Sequence, residues 1–318
     1  MNYIPTVNLK DYIEGDESQR QAFVKQLGDS FSDIGFAIVA NHGVTQKVID
    51  RSYQAFKEFF SLDDGIKNKY EIPGLAGQRG YTSRGKEHAK GRNVGDLKEF
   101  YHIGQIVEEA EVDQYGYPEN VFPPEVPDVE EYGVQLYQSL EKSGRFLLRA
   151  IAEYLELPTD YFDDKIKNGN SILRPIHYYG IENPSEVPDG AVRAAEHEDI
   201  NLITLLIGAS AEGLQVLNKQ GEWIGASPEP NQIVINVGDM LQRLTNNRLK
   251  STTHRVVNPP RERMSEPRYS VPFFLHPVSD MDLTSLESCI DEEHPKLYED
   301  LTAGEYLDQR LREIGLKK

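Results

Sequence analysis

Residues 171–276 carry their apolar side chains in short runs, at 200–207, 213–217, 232–237, 252–257 and 269–275, each stopped by glycine, proline or asparagine. Such runs are too short for amphipathic helices, and their even spacing predicts several short strands. A sandwich or barrel satisfies this pattern, whereas a parallel α/β sheet would need long helical crossovers between the runs.

The flanks read differently. Phe23, Leu27 and Phe31 fall four apart with Val24 and Ile34 beside them, which predicts a helix over 19–34 with Gly35 as its C-cap glycine. A buried strand at 36–40 follows, and after the turn Asn41-His42-Gly43-Val44, Thr45 can cap a helix burying Val48, Ile49, Phe56, Phe59 and Phe60. A proline-rich stretch at 118–127 leads into a predicted helix over 129–155. There Leu136, Leu140, Leu147, Ile151 and Leu155 keep the helical period, so this helix should pack on a sheet as scaffold. A terminal helix is expected over 298–314. No internal repeat or low-complexity tract interrupts the chain, so the N-terminal elements read as helical support for one β core.

Composition narrows the function classes. The 318 residues hold 34 Lys+Arg against 52 Asp+Glu, a net charge of −18. A broad surface for nucleic acid or anionic lipid is therefore not expected. One cysteine, Cys289, excludes an intramolecular disulfide and a cysteine-rich zinc site and fits a reducing compartment. The longest strongly apolar stretch, 202–209, falls well short of the ~18 residues of a membrane span. The first residues, Met1-Asn2-Tyr3-Ile4-Pro5, lack the pattern of a secretory signal. A soluble, cytoplasmic protein is the expectation.

Chemistry concentrates in the β-rich region. In extended chain residues i and i+2 share a face, so His197 and Asp199 aim an imidazole and a carboxylate at one point. His254, in the strand-like run 251–257, is a candidate third ligand. Two histidines and one carboxylate leave adjacent metal positions open, an arrangement suited to non-haem Fe(II) oxygen chemistry. Arg268 and Ser270 repeat the i, i+2 relation and offer a planar fork of donors plus a hydroxyl, which suits a carboxylate. Zinc-dependent hydrolysis is an alternative use of the triad, although it leaves the Arg-x-Ser pair unexplained.

The ordered set 173–178 (LRPIHY), 197–199 (HED), 213–216 (GLQV), 236–239 (NVGD), 244–247 (LTNN), 250–256 (KSTTHRV) and 268–274 (RYSVPFF) resembles the iron- and 2-oxoglutarate-dependent dioxygenases of the isopenicillin N synthase-like superfamily. Gly35-Phe36 and Asn41-His42-Gly43-Val44 resemble that group's N-terminal region, so the likeness runs from about Ile4 to Pro277. It implies an α+β protein with a double-stranded β-helix (jelly roll) core, N-terminal helical support and a C-terminal helix. The implied division is an N-terminal region at 1–110, a linker and scaffold helix at 111–170, the β core at 171–280 and a helical extension at 281–318.

The resemblance also implies that His197, Asp199 and His254 ligate Fe(II), that Arg268 and Ser270 hold the distal carboxylate of 2-oxoglutarate, and that Tyr178 helps bind it. The reaction implied takes 2-oxoglutarate and dioxygen to succinate and carbon dioxide while a small organic substrate is oxidised, with hydroxylation the default outcome. Some relatives use the same residues as oxidases or cyclases without 2-oxoglutarate, and a non-catalytic ligand-binding role on the same fold is a further alternative. Two positions depart from the family pattern: Ile176 stands where an asparagine is common, and Tyr179 where a proline is.

Other residues read as scaffold. His42 belongs to its turn, and His177, alternating with Tyr178, should point away from the co-substrate. Asp239 should bond locally in a turn between strands, and Trp223 should pack in a hairpin. One ring of Phe273 and Phe274 must face the barrel interior. The glycine-rich segment 74–95 reads as a loop and gathers Arg79, Arg84, Lys86, Lys90 and Arg92 in an otherwise acidic chain. The expectation drawn from it is an anionic substrate met by one of these side chains, Arg79 beside Tyr81 first.

Overall fold

Asp16 starts the first long helix, Glu17–Asp33, with a reciprocal cap: its carboxylate accepts from Gln19 N at 2.9 Å while the Gln19 side chain accepts from Asp16 N. Gly35 ends it at φ +72°, its Cα so close to the Lys250 carbonyl that no side chain would fit. This computed structural model describes residues 2–75, 77–86, 98–107, 116–183, 185, 187, 192–208 and 212–313.

The chain then enters a large sheet rather than merely supporting one. Strands β1 (Thr6–Asn8) and β2 (Phe36–Ala40) pair in parallel, and β2 lies antiparallel to β11 (Ile233–Val237). From there the sheet continues through β8 (Ile203–Ile207), β14 (Pro272–Leu275), β5 (Ile172–Leu173), β4 (Lys98–Gly104), β6 (Ile176–Tyr178) and β13 (Arg268–Ser270), with β3 (Gly80–Thr82) on the other edge of β4. A second sheet orders β10 (Trp223–Gly225), β9 (Leu214–Leu217), β12 (His254–Val257) and β7 (Val192–His197). The N-terminal region thus contributes strands as well as the expected helices, β2 and β4 inside the sheet and β1 and β3 at its edges.

Period-two alternation divides the large sheet into two buried faces. Ile203, Leu205, Ile233, Ile235, Phe273 and Leu275 share a core with the helix Asp128–Tyr154. The leucine and isoleucine stripe read from the sequence, Leu136 to Leu155, is at most 1 % exposed, each side chain stabilising the fold by ~1.5–3 kcal/mol. On that helix Gly144 lets Leu275 approach to a distance a side chain would forbid. The opposite face packs against the second sheet: Phe36, Ile38 and Val234 meet Leu214, Val216 and Val256. Two sheets facing each other across this layer enclose the interior in which the site lies.

Some elements depart from the sequence reading. The terminal helix spans Ala303–Glu313 and starts later than expected, because Thr302 and Glu305 form a side-chain cap there. Asp239 is no strand-to-strand turn. It opens the helix Asp239–Leu244, and its carboxylate accepts from Ser251 Oγ at 2.8 Å and Tyr306 OH at 2.9 Å, both distant in sequence. Trp223 does lie in a hairpin, yet it is half-buried with the Arg255 guanidinium 3.9 Å over its ring. Among the described residues no helix is long and apolar enough to cross a membrane.

Candidate active site

The pairing of β12 with β7 sets His254 directly opposite His197, their ring centroids 4.3 Å apart. Asp199 lies just beyond the end of β7, and the metal-ligating atoms of the three residues fall within 4.8 Å of one another. Each histidine is oriented from behind. His197 Nδ1 donates to the Ala195 carbonyl at 2.7 Å and His254 Nδ1 to the Thr252 carbonyl at 3.1 Å. Both rings must then carry their proton on Nδ1, leaving Nε2 as a lone-pair donor.

Asp199 is held just as firmly. Its Oδ2 accepts from Thr204 Oγ1 at 2.7 Å and Asn236 Nδ2 at 2.8 Å, while Oδ1 lies 3.9 Å from His254 Nε2. Burial alone would raise its carboxyl pKa, but His254, His197 and the two hydrogen bonds outweigh that and hold it below the usual carboxylate range. Burial, with His197 beside it, pushes His254 down to about 4, so at neutral pH its imidazole is the neutral form a metal requires. Three converging groups, two imidazoles and one carboxylate, fit a divalent iron with open positions.

The Arg268 pair sits at the other end of the interior. Pairing of β13 with β6 puts Arg268 opposite Tyr178 and Ser270 opposite Ile176, with the guanidinium carbon 5.1 Å from the Tyr178 ring centroid. Arg268, Ser270 and Tyr178 therefore share one face, and Ser270 and Tyr178 are buried. Ile176 occupies the same face beside Phe100 and Tyr178, so the hydrogen bond that an asparagine would offer there is replaced by an apolar contact. His177 points the other way, as its alternation required.

A row of paired residues links the metal end to a group the sequence reading passed over. Asn236, Thr204, Phe274, Ile172 and Gly104 lie side by side across β11, β8, β14, β5 and β4. Phe274 is thus the interior ring, whereas Phe273 packs edge-on against Tyr137. Above this row the Arg174 guanidinium lies 4.8 Å from the Phe100 centroid and 5.3 Å from that of Phe274, and its Nε donates to His102 Nε2 at 2.5 Å. Arg174 and Phe274 keep partial exposure while Phe100 and His102 are buried. The signal for Arg174 was its parity with Ile176 and Tyr178.

Within the described part of the basic segment 74–95, Arg79 is not the substrate contact expected of it. Residues 80–82 form β3, and Arg79 is 0 % exposed. Its Nε donates to Pro118 O at 3.1 Å and Nη1 to Gln78 O at 2.8 Å, and the guanidinium fills the space a side chain at Gly104 would need. Tyr81 turns instead to Glu99. Arg84 lies 5.1 Å over the Tyr179 ring and Lys86 pairs with Glu71. Lys90 and Arg92 lie outside the described residues. His42 serves its turn, its Nδ1 accepting from Val44 N at 3.2 Å.

Comparison with known proteins agrees with this geometry. Residues 4–125 match the family model of the N-terminal region of non-haem dioxygenases in morphine synthesis, and residues 170–277 match the 2OG-Fe(II) oxygenase superfamily. Similar proteins include the 2-oxoglutarate-Fe(II) type oxidoreductase ppzD of Metarhizium rileyi, 31% identical over 97% of this chain and 90% of the relative. The proline hydroxylase buaE of Petromyces alliaceus is also 31% identical, over 97% of this chain and 98% of the relative. Among solved structures, a Caulobacter crescentus protein described by its 2OG-Fe(II) oxygenase family is 43% identical with a TM-score of 0.88, covering 99% of this chain and 100% of the other. A full-length Neurospora crassa protein crystallised in complex with alpha-KG and thymine is 30% identical with a TM-score of 0.85, over 97% and 96%. With residues that fit the metal and matches spanning nearly its whole length, the chain belongs to the 2OG-Fe(II) oxygenase superfamily and is a 2-oxoglutarate- and Fe(II)-dependent oxygenase.

Proposed function

We propose that His197, Asp199 and His254 hold the iron, that Arg268, Ser270 and Tyr178 hold the distal carboxylate of 2-oxoglutarate, and that the outcome is hydroxylation of a small organic substrate inside a double-stranded β-helix. One observation carries this reading: both imidazoles spend Nδ1 on backbone carbonyls and Asp199 spends Oδ2 on Thr204 and Asn236, so the atoms left over converge. Bound iron with 2-oxoglutarate and dioxygen supplies the oxidising power for an unactivated C–H bond. The protein's own residues orient these groups. Arg268 gives a fixed cation for the far carboxylate, Ser270 adds a hydroxyl donor, and the Tyr178 ring packs beside the guanidinium.

The substrate side is read from Arg174 and Phe274. A partly exposed cation above a partly exposed ring, in the row that begins at Asp199's anchors, suits a substrate with a carbonyl or carboxylate oxygen. The anionic substrate expected of the basic loop is thereby moved from Arg79 to Arg174. The Neurospora crassa protein was crystallised in complex with alpha-KG and thymine, and JOX2 in complex with 2OG, Fe and JA, which supports a substrate of that size here. Screening a metabolite library for substrate-dependent succinate formation tests the reading. An oxidised, oxygen-bearing hit that Arg174→Ala turns over only at much higher concentration is expected, whereas a hit indifferent to Arg174→Ala would refute the substrate assignment.

A further inference from the structure

Three rows run across β4, β6 and β13: Lys98, Tyr178 and Arg268; Glu99, His177 and Tyr269; Phe100, Ile176 and Ser270. The first and third face the interior, and the middle row faces the helix Gln46–Phe60. Among the described residues strand β13 is the last in its sheet, three residues long and paired only with β6, yet it carries both Arg268 and Ser270. Buried Val271 ties its Ser270 end to the central strand β14, so it is the Arg268 end of this short strand that has least to hold it against β6.

The middle row supplies what β13 lacks. Glu99, 0 % exposed, accepts from Lys67 Nζ at 2.8 Å, Tyr81 OH at 2.5 Å and His177 Nδ1 at 2.7 Å. The His177 ring in turn stacks on Tyr269, centroids 4.7 Å apart and planes 11° from parallel. Lys57 Nζ lies 5.4 Å above the other part of this stack, over the Tyr269 ring. Burying a carboxylate with a lysine is a poor way to gain cohesion, since apolar side chains of equal volume stabilise as well; the known use of such ions is to select one arrangement.

Resting on the reading that Arg268, Ser270 and Tyr178 grip 2-oxoglutarate, we propose that Glu99, through His177 and the stacked Tyr269, is a positioning residue for the co-substrate: it holds the Arg268 end of β13 against β6 from the face opposite the site. Glu99 touches neither iron nor co-substrate. Its effect passes through the strand, so it acts on 2-oxoglutarate affinity and leaves the metal end alone.

The test is anaerobic titration of 2-oxoglutarate into the Fe(II)-loaded protein, read as a dissociation constant, with iron affinity and Tm measured in parallel. Glu99→Gln and Tyr269→Ala are expected to weaken 2-oxoglutarate roughly 10- to 100-fold, the usual cost of losing a group that orients a ligand-binding side chain, with Fe(II) affinity unchanged. Tyr269→Phe, which keeps the stacked ring, should retain wild-type affinity, and this pair carries the test if Glu99→Gln does not fold. Lowered Tm with unchanged 2-oxoglutarate affinity in Glu99→Gln and Tyr269→Ala, alongside weakened binding in Arg268→Leu, would overturn the positioning role. Unchanged affinity in Arg268→Leu itself would instead overturn the assignment on which that role rests.

Discussion

The two ends of the interior are built to different standards. At the metal end, His254 stands on a strand paired on both sides, and Asp199 is fixed by side chains of β8 and β11, also paired on both sides. At the Arg268 end, the residues proposed to bind 2-oxoglutarate ride on an edge strand with an ionic and aromatic layer behind it. A metal tolerates little error in donor placement, while a flexible diacid gripped through a guanidinium tolerates more. Central strands thus carry His254 and the partners of Asp199, and His197 on the edge strand β7 is set by its pairing with β12, whereas an outside brace serves the second end.

The comparison breaks if the ends do not respond separately. His197→Ala, Asp199→Ala and His254→Ala should each lose tight Fe(II) binding and turnover while remaining folded, as calorimetric iron titration would record. Arg268→Leu comes next: losing a buried charge partner typically costs ~3–5 kcal/mol, so the 2-oxoglutarate requirement should rise on the order of a hundredfold with iron affinity unchanged.

The brace should show itself in acid. Burial raises the Glu99 carboxyl, but the hydrogen bonds from His177, Lys67 and Tyr81 bring it from 4.5 down to about 2. A carboxyl lowered on folding stabilises the protein above its unfolded value and loses that contribution as pH falls through the folded one. About 3 kcal/mol should thus disappear between pH 4.5 and 2 in wild type, and Glu99→Gln should lack that slope in urea unfolding across the same range.

Smaller effects sharpen the contrast. Thr204→Val removes one of the two donors to Asp199 Oδ2 and should weaken Fe(II) about tenfold without touching 2-oxoglutarate affinity. Arg79→Met should change neither affinity. Burial lowers the Arg79 pKa and no carboxylate among the described residues pairs with it, so removing the charge while keeping volume should leave Tm unchanged or slightly raised.

These contrasts also mark what a sequence can convey. His197-x-Asp199 and Arg268-x-Ser270 were legible because two-residue spacing brings each pair together locally, along β13 for the second and at the end of β7 for the first, and the helix stripe Leu136 to Leu155 because its period is local. Arg174, His102 and Phe274 come together only through the pairing of β4, β5 and β14, far apart in sequence. Glu99 gathers Lys67, Tyr81 and His177 by the same kind of long-range register. Arg79 misled because charge and glycine ordinarily mean a solvated loop, and nothing local announces a guanidinium folded against Gly104. Asp239 misled because Gly-Asp suits a turn, while its partners Ser251 and Tyr306 come from other elements.

The most direct measurement is anaerobic addition of 2-oxoglutarate to the Fe(II)-loaded protein while the visible spectrum is followed, in wild type, Asp199→Ala and Arg268→Leu. A keto acid chelating iron gives a charge-transfer band. The expected result is a saturable band in wild type, none in Asp199→Ala, and in Arg268→Leu the same band reached only at about a hundredfold more 2-oxoglutarate. A band of full intensity at wild-type concentrations in both variants would contradict the assignment of the two ends.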